Sequence, residues 1–83
     1  MFIITQDNQL IRKFKGMQII SNLRKKEYKI IEDDGGFHPV EYAVYSSKEF
    51  AQQAFNGGIQ AFREGRKIYR FPVEIDTEKI REV

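Results

Sequence analysis

The sequence predicts a small α+β domain: a small antiparallel β-sheet of about four to six short strands with one amphipathic helix packed on one face, in the order β-β-β-β-β-α-β. Three observations carry this expectation. Apolar and polar residues alternate with period two through much of residues 2–45. The period switches to a helical one at Ser46 and holds to Glu64. A last short alternating stretch, 67–71, ends on Pro72. Short polar turns between the strands imply antiparallel pairing.

Each element has its own signal. Phe2-Ile3-Ile4-Thr5 is apolar and β-branched and reads as a buried strand, and Gln6-Asp7-Asn8-Gln9 is a polar hairpin turn. Leu10 to Phe14 is a second strand, closed by Lys15-Gly16, and Met17 to Leu23 a third. Arg24-Lys25-Lys26 is a charged turn, and Glu27 to Glu32 a fourth strand. Asp33-Asp34-Gly35-Gly36 is a loop signal, since glycine accepts the positive φ of tight turns. After His38-Pro39, a fifth strand places Val40, Tyr42 and Val44 on one face, opposite Glu41, Ala43 and Tyr45. Ser46 reads as the helix N-cap, with Glu49 three residues on completing a capping box. Phe50, Ala51, Ala54, Phe55, Gly58, Ile59 and Phe62 then form the apolar stripe, and Gly65 ends the helix as a left-handed residue. Residues 1–72 thus form a single domain, followed by a charged tail over 73–83 in which Asp76 caps one further turn or the chain frays.

Composition narrows the function classes. Of the 83 residues, 24 are Leu, Ile, Val or Phe, which is enough for a modest core and too apolar for a disordered chain. With no cysteine, disulfides, thiolate metal sites and cysteine nucleophiles are excluded, and a reducing, cytoplasmic location is expected. The longest apolar run, Met1 to Ile4, is far too short for a membrane span, so no membrane partner is expected. The net charge of +2 conceals blocks: +5 over residues 1–31, −4 over 32–54, +3 over 55–70 and −2 over 71–83. Such blocks predict complementarity within the fold as readily as a binding patch.

Three segments resemble one family. Ile3-Ile4-Thr5-Gln6-Asp7, then Tyr45-Ser46-Ser47-Lys48-Glu49-Phe50-Ala51, then Ile68-Tyr69-Arg70-Phe71-Pro72 are similar to the turn, helix start and strand end of small uncharacterised proteins of Firmicutes and their phages. The resemblance covers about residues 2–72. It departs at Asn56-Gly57-Gly58, where that family has strongly helix-favouring residues. It implies a fold and a phage or mobile-element origin, and carries no activity.

No catalytic, cofactor or metal constellation stands out. His38 is the only histidine and reads as a surface-loop residue, because neighbouring Asp33 and Asp34 lack metal-ligand spacing. Glu32-Asp33-Asp34 lacks the alternating oxygens and late Glu of a calcium loop. Ser46 and Ser47 have no paired base or nucleophile elbow. Arg12, Lys13, Lys15, Arg24, Lys25, Lys26 and Lys29 are the candidate nucleic-acid contacts, should both tracts meet on one sheet face. A second basic stretch, Arg63-Arg66-Lys67-Arg70, follows the helix. Solvated strand edges that block aggregation explain the same lysines more simply. Gly57 and Gly58 each cost ~1 kcal/mol inside a helix and need a reason. A kink or intramolecular close packing is favoured over a helix–helix contact across a dimer axis, with Gly57 facing outward. The expected function is that of a non-enzymatic phage or mobile-element protein that binds a protein partner, self-association into a homodimer included. Nucleic-acid binding through the basic strands is the alternative.

Overall fold

The computed structural model of the 83-residue chain describes residues 1–33 and 39–73. His38, most of the Asp33-Asp34-Gly35-Gly36 loop and the tail beyond Val73 lie outside them. The element order is β1 (Phe2–Ile4), β2 (Ile11–Lys13), β3 (Met17–Asn22), β4 (Glu27–Glu32), β5 (Glu41–Tyr45), α1 (Lys48–Arg63) and β6 (Ile68–Arg70). The fold class is α+β.

The strands divide between two three-stranded sheets, β2-β1-β6 and β3-β4-β5, where the sequence predicted one. Three of the pairings are antiparallel, but β6 lies parallel to β1, with Phe2 beside Ile68 and Ile4 beside Arg70. The helix is the reason. A strand reached from β5 through a 16-residue helix is freed from hairpin geometry and can return in either direction.

The turn after β1 ties the two sheets together. Thr5 is buried; its hydroxyl donates to Asp7 Oδ1 at 2.6 Å and accepts from Leu10 N–H at 3.2 Å. Asp7 also accepts from Gln9 N–H at 3.0 Å, and Asn8 takes a φ of 61°. The Thr5 hydroxyl foremost, then the Gln9 amide, hold the Asp7 carboxyl below its ordinary value. Gln6 leaves this turn and docks on the outer edge of β5. Its N–H donates to Tyr42 O at 2.8 Å, and its side-chain oxygen accepts from Val44 N–H at 3.0 Å. The Thr-Gln-Asp signature is therefore a turn with a clasp.

Strand β5 departs from the predicted alternation. Tyr42, Ala43 and Tyr45 are all buried, because a bulge opposite Ile30–Ile31 sends two consecutive residues inward. Tyr42 stacks on Phe71 at 5.6 Å, and Phe71 meets Tyr69 edge-on at 5.0 Å.

The helix is capped by Ser47, not Ser46: the Ser47 hydroxyl accepts from Phe50 N–H at 3.2 Å. That shift moves Glu49 to the second helical position, so no reciprocal capping box forms, and Glu49 accepts instead from the Ser47 hydroxyl at 3.2 Å. The far end is a complete Schellman motif. Gly65, at φ 71°, donates to Phe62 O and Arg66 donates to Ala61 O. The buried side of the helix consists of Ala51, Ala54, Gly58 and Ala61, while Phe62 is exposed and Phe50, Phe55 and Ile59 are half-buried flanks. The predicted stripe is thus rotated. Small residues let the helix lie close on a sheet already filled by Tyr42, Tyr45 and Phe71.

Candidate functional site

The two sheets finish their outer faces differently. Across β3-β4-β5 the outward register positions are Gln18, Ile20, Asn22, Glu27, Lys29, Ile31, Glu41 and Val44, with Ile31 buried, Val44 half-buried and Lys29 Nζ 2.9 Å from Glu41 Oε1. That ion pair, its hydrogen bond foremost, raises the Lys29 amine above its ordinary value. The exposed part of this face is mostly polar, with Ile20 its exposed apolar residue.

Sheet β2-β1-β6 has no such finish. Its inner face carries Ile3, Arg12 and Tyr69, in register. Its outer face carries the row Lys13–Phe2–Ile68 and, beside it, Ile11–Ile4–Arg70. Phe2 is 50% exposed, Ile11 68% and Ile68 57%. The expectation that Phe2–Thr5 is a buried strand therefore holds for Ile3 and Thr5 only. A sheet covered on one side buries alternate residues, and no described element lies over the other side. Together Phe2, Ile4, Ile11 and Ile68 make one contiguous apolar patch of the order of the largest patch on an ordinary monomer, roughly 300–600 Å² and often functional. The signal existed in the sequence: an aliphatic residue recurs at the outward position of each of the three strands. It was invisible without their pairing.

The predicted basic residues do not gather on one surface; of them only Arg24 and Lys29 share a lining, at the β3–β4 hairpin tip. The Arg12 guanidinium turns inward to Glu32 Oε1 at 3.3 Å, where the carboxylate is 1% exposed and also accepts from Tyr42 Oη at 3.3 Å. Arg12 is therefore tied to a buried carboxylate and is not a free cation, although its own side chain stays 39% exposed. Lys13 belongs to the outer face of β2, and Lys15 lies exposed just before β3. Arg24, Lys25 and Lys26 form the tip of the β3–β4 hairpin, with Lys26 at φ 52°. The length of β3, about 17 Å, separates the two tracts. The charge blocks instead pair internally, as Arg12–Glu32 and Lys29–Glu41.

Gly57 and Gly58 lie within one continuous helix. A Cβ on Gly57 would come within 2.7 Å of Tyr69 Oη, and one on Gly58 within 2.7 Å of Met17 Cε. Gly57 thus faces Tyr69 of β6, not solvent. The Tyr69 hydroxyl donates to Ala54 O at 2.8 Å, and burial pushes its pKa up. Both glycines are occupied by the protein's own packing.

Among the described residues, no group of three or more His, Asp or Glu side chains is placed to hold a metal ion. No helix among them is long and apolar enough to cross a membrane. A hollow of about 520 Å³ lies at the hairpin tip, lined by Ile20, Ser21, Asn22, Leu23, Arg24 and Lys29. No protein-family model matches the chain, and no curated protein or solved structure is significantly similar to it.

Proposed function

We propose that this protein is a non-enzymatic interaction module that self-associates into a homodimer through the outer face of sheet β2-β1-β6. Exposed Phe2, Ile11 and Ile68, set around half-buried Ile4, support the reading. The second copy is favoured as occupant by the placement of charge. Lys13 and Arg70 sit at diagonally opposite corners of the face. A two-fold axis along β1 sets Lys13 against Ile68 of the second copy and Ile11 against its Arg70, so no two cations lie directly opposite and the cation stems add apolar cover. The patch falls short of the ~800 Å² per partner of a standard interface, so the dimer is weak, with a Kd in the micromolar range or above. The lack of cysteine and the resemblance noted above fit a phage or mobile-element protein of the bacterial cytoplasm.

Sedimentation equilibrium tests this. A monomer–dimer equilibrium is expected, and Ile11→Asp should abolish it while leaving the thermal unfolding midpoint nearly unchanged. A strict monomer near millimolar concentration, or a dimer indifferent to Ile11→Asp and Ile68→Asp, would overturn the reading.

A further inference from the structure

Strand β3 ends the other sheet, β3-β4-β5. We infer that its free edge binds an extended acidic peptide by β-augmentation, with an apolar side chain of the peptide seated in the hollow at the hairpin tip.

Three separate observations lead there. First, β3 runs six residues, Met17–Asn22, at the end of sheet β3-β4-β5, and no described strand pairs with its other side. It contains no proline, glycine, lysine or bulge, the usual devices that blunt an edge. The opposite edge of the same sheet is treated otherwise: Gln6 clasps β5 with backbone and side chain. An unclasped edge offers a row of N–H and C=O groups to an incoming strand.

Second, the hollow is built beside this edge. Ile20, 43% exposed, and Leu23, 77% exposed, supply its apolar lining, while Arg24 and Lys29 stand at its rim. The hollow is broad and open to solvent, so an aliphatic or aromatic side chain can lie across Ile20 and Leu23. Residues two apart on an added strand share a face, so this lining fits a peptide with an apolar residue over Ile20 and an acidic residue two positions on, toward Arg24.

Third, charge chooses the occupant. Arg24, Lys25 and Lys26 have no acidic partner among the described residues. A second copy of this chain is a poor fit at this edge. Antiparallel self-pairing over Met17–Asn22 matches Met17 with Asn22 of the second copy, and two residues further out it sets Lys15 against Arg24. Parallel self-pairing sets each cation tract on itself. Like charges directly opposite weaken strand pairing, so the cations that flank β3 repel a second β3 and attract an acidic strand. A nucleic-acid backbone would also meet Arg24, Lys25 and Lys26, but it uses neither the strand edge nor the apolar lining.

The test uses the full chain and is separate from self-association. The probe is a blocked seven-residue peptide with valine at its centre, glutamate two positions to either side and threonine elsewhere. Controls are its valine–lysine counterpart, a proline-interrupted version and a single-stranded oligonucleotide. Titration should shift backbone amide resonances of Met17–Leu23 and slow exchange of β3 amides that are unprotected in the free protein. Arg24→Glu with Lys25→Glu, at exposed turn positions, should weaken binding at least tenfold. Slowed amide exchange with the valine–glutamate peptide alone supports the inference. No shift at millimolar peptide, equal binding of the valine–lysine peptide, or an oligonucleotide shifting these resonances when the peptide does not, would overturn it.

Discussion

Two adjacent glycines show how one missing atom can be structural in one place and dispensable in the next. Gly57 lies under the rigid ring of Tyr69, whose hydroxyl is anchored to Ala54 O. A methyl there must push the ring off that carbonyl. Gly58 faces chiefly the end of the flexible Met17 side chain, which can swing aside. Alanine gains ~1 kcal/mol of helix propensity at either site. At Gly57 the overpacking and the lost hydrogen bond exceed that gain, so Gly57→Ala should destabilise by about 1–2 kcal/mol. At Gly58 the two effects nearly cancel, and Gly58→Ala should stay within about 0.5 kcal/mol of the parent. Urea unfolding of the two variants checks the contrast; equal effects would show that Tyr69 is as yielding as Met17.

At the scale of the element, the helix displays how local signals fix an end to within a residue but not its exact start. Ser46 and Ser47 are both competent caps, and Glu49 made Ser46 the better choice on sequence. The choice falls on Ser47 because Tyr45 is buried, its ring 5.2 Å from Phe50 and its hydroxyl bound to Pro72 O at 2.6 Å. This holds the end of β5 in place and leaves Ser47 as the residue that turns into the helix. Ser47→Ala should therefore cost about 1 kcal/mol. Thermal denaturation followed by circular dichroism measures it, and a cost near zero would show that Ser47 is not the cap. The C-terminal end needed no such arbitration. Gly65 alone suits the left-handed residue of the Schellman motif, and its position was legible from sequence.

For the whole molecule, the question is what keeps two small sheets in one body. A small sheet is stable only with a hydrophobic face or a helix packed on it. The two sheets are joined by the helix, by the shared core of Ile3, Ile30, Tyr42 and Phe71, and by the Gln6 clasp on β5. The clasp also covers an edge that would otherwise be open. Gln6→Leu keeps the bulk but leaves the half-buried Val44 N–H without its acceptor, which should cost about 1–2 kcal/mol. Amide exchange at Val44 should rise well before global unfolding. Unchanged protection there would show that the clasp contributes nothing to holding the sheets together.

The sequence by itself determined the class of fold, the order of its elements and most of their bounds. Those follow from interactions within a few residues: alternation, helical period, turn chemistry and the glycine stop. It also carried the acidic and basic blocks that become Arg12–Glu32 and Lys29–Glu41. Tertiary structure alone decided the division into two sheets, the parallel return of β6, the role of Gly57 and the unequal finish of the two outer faces. Each depends on which strands become neighbours. Phe2, Ile11 and Ile68 are far apart in sequence and each is unremarkable in its own strand. They form a surface only because β1 pairs with β2 on one side and β6 on the other, and period-two alternation cannot say which face of a strand the rest of the chain will cover.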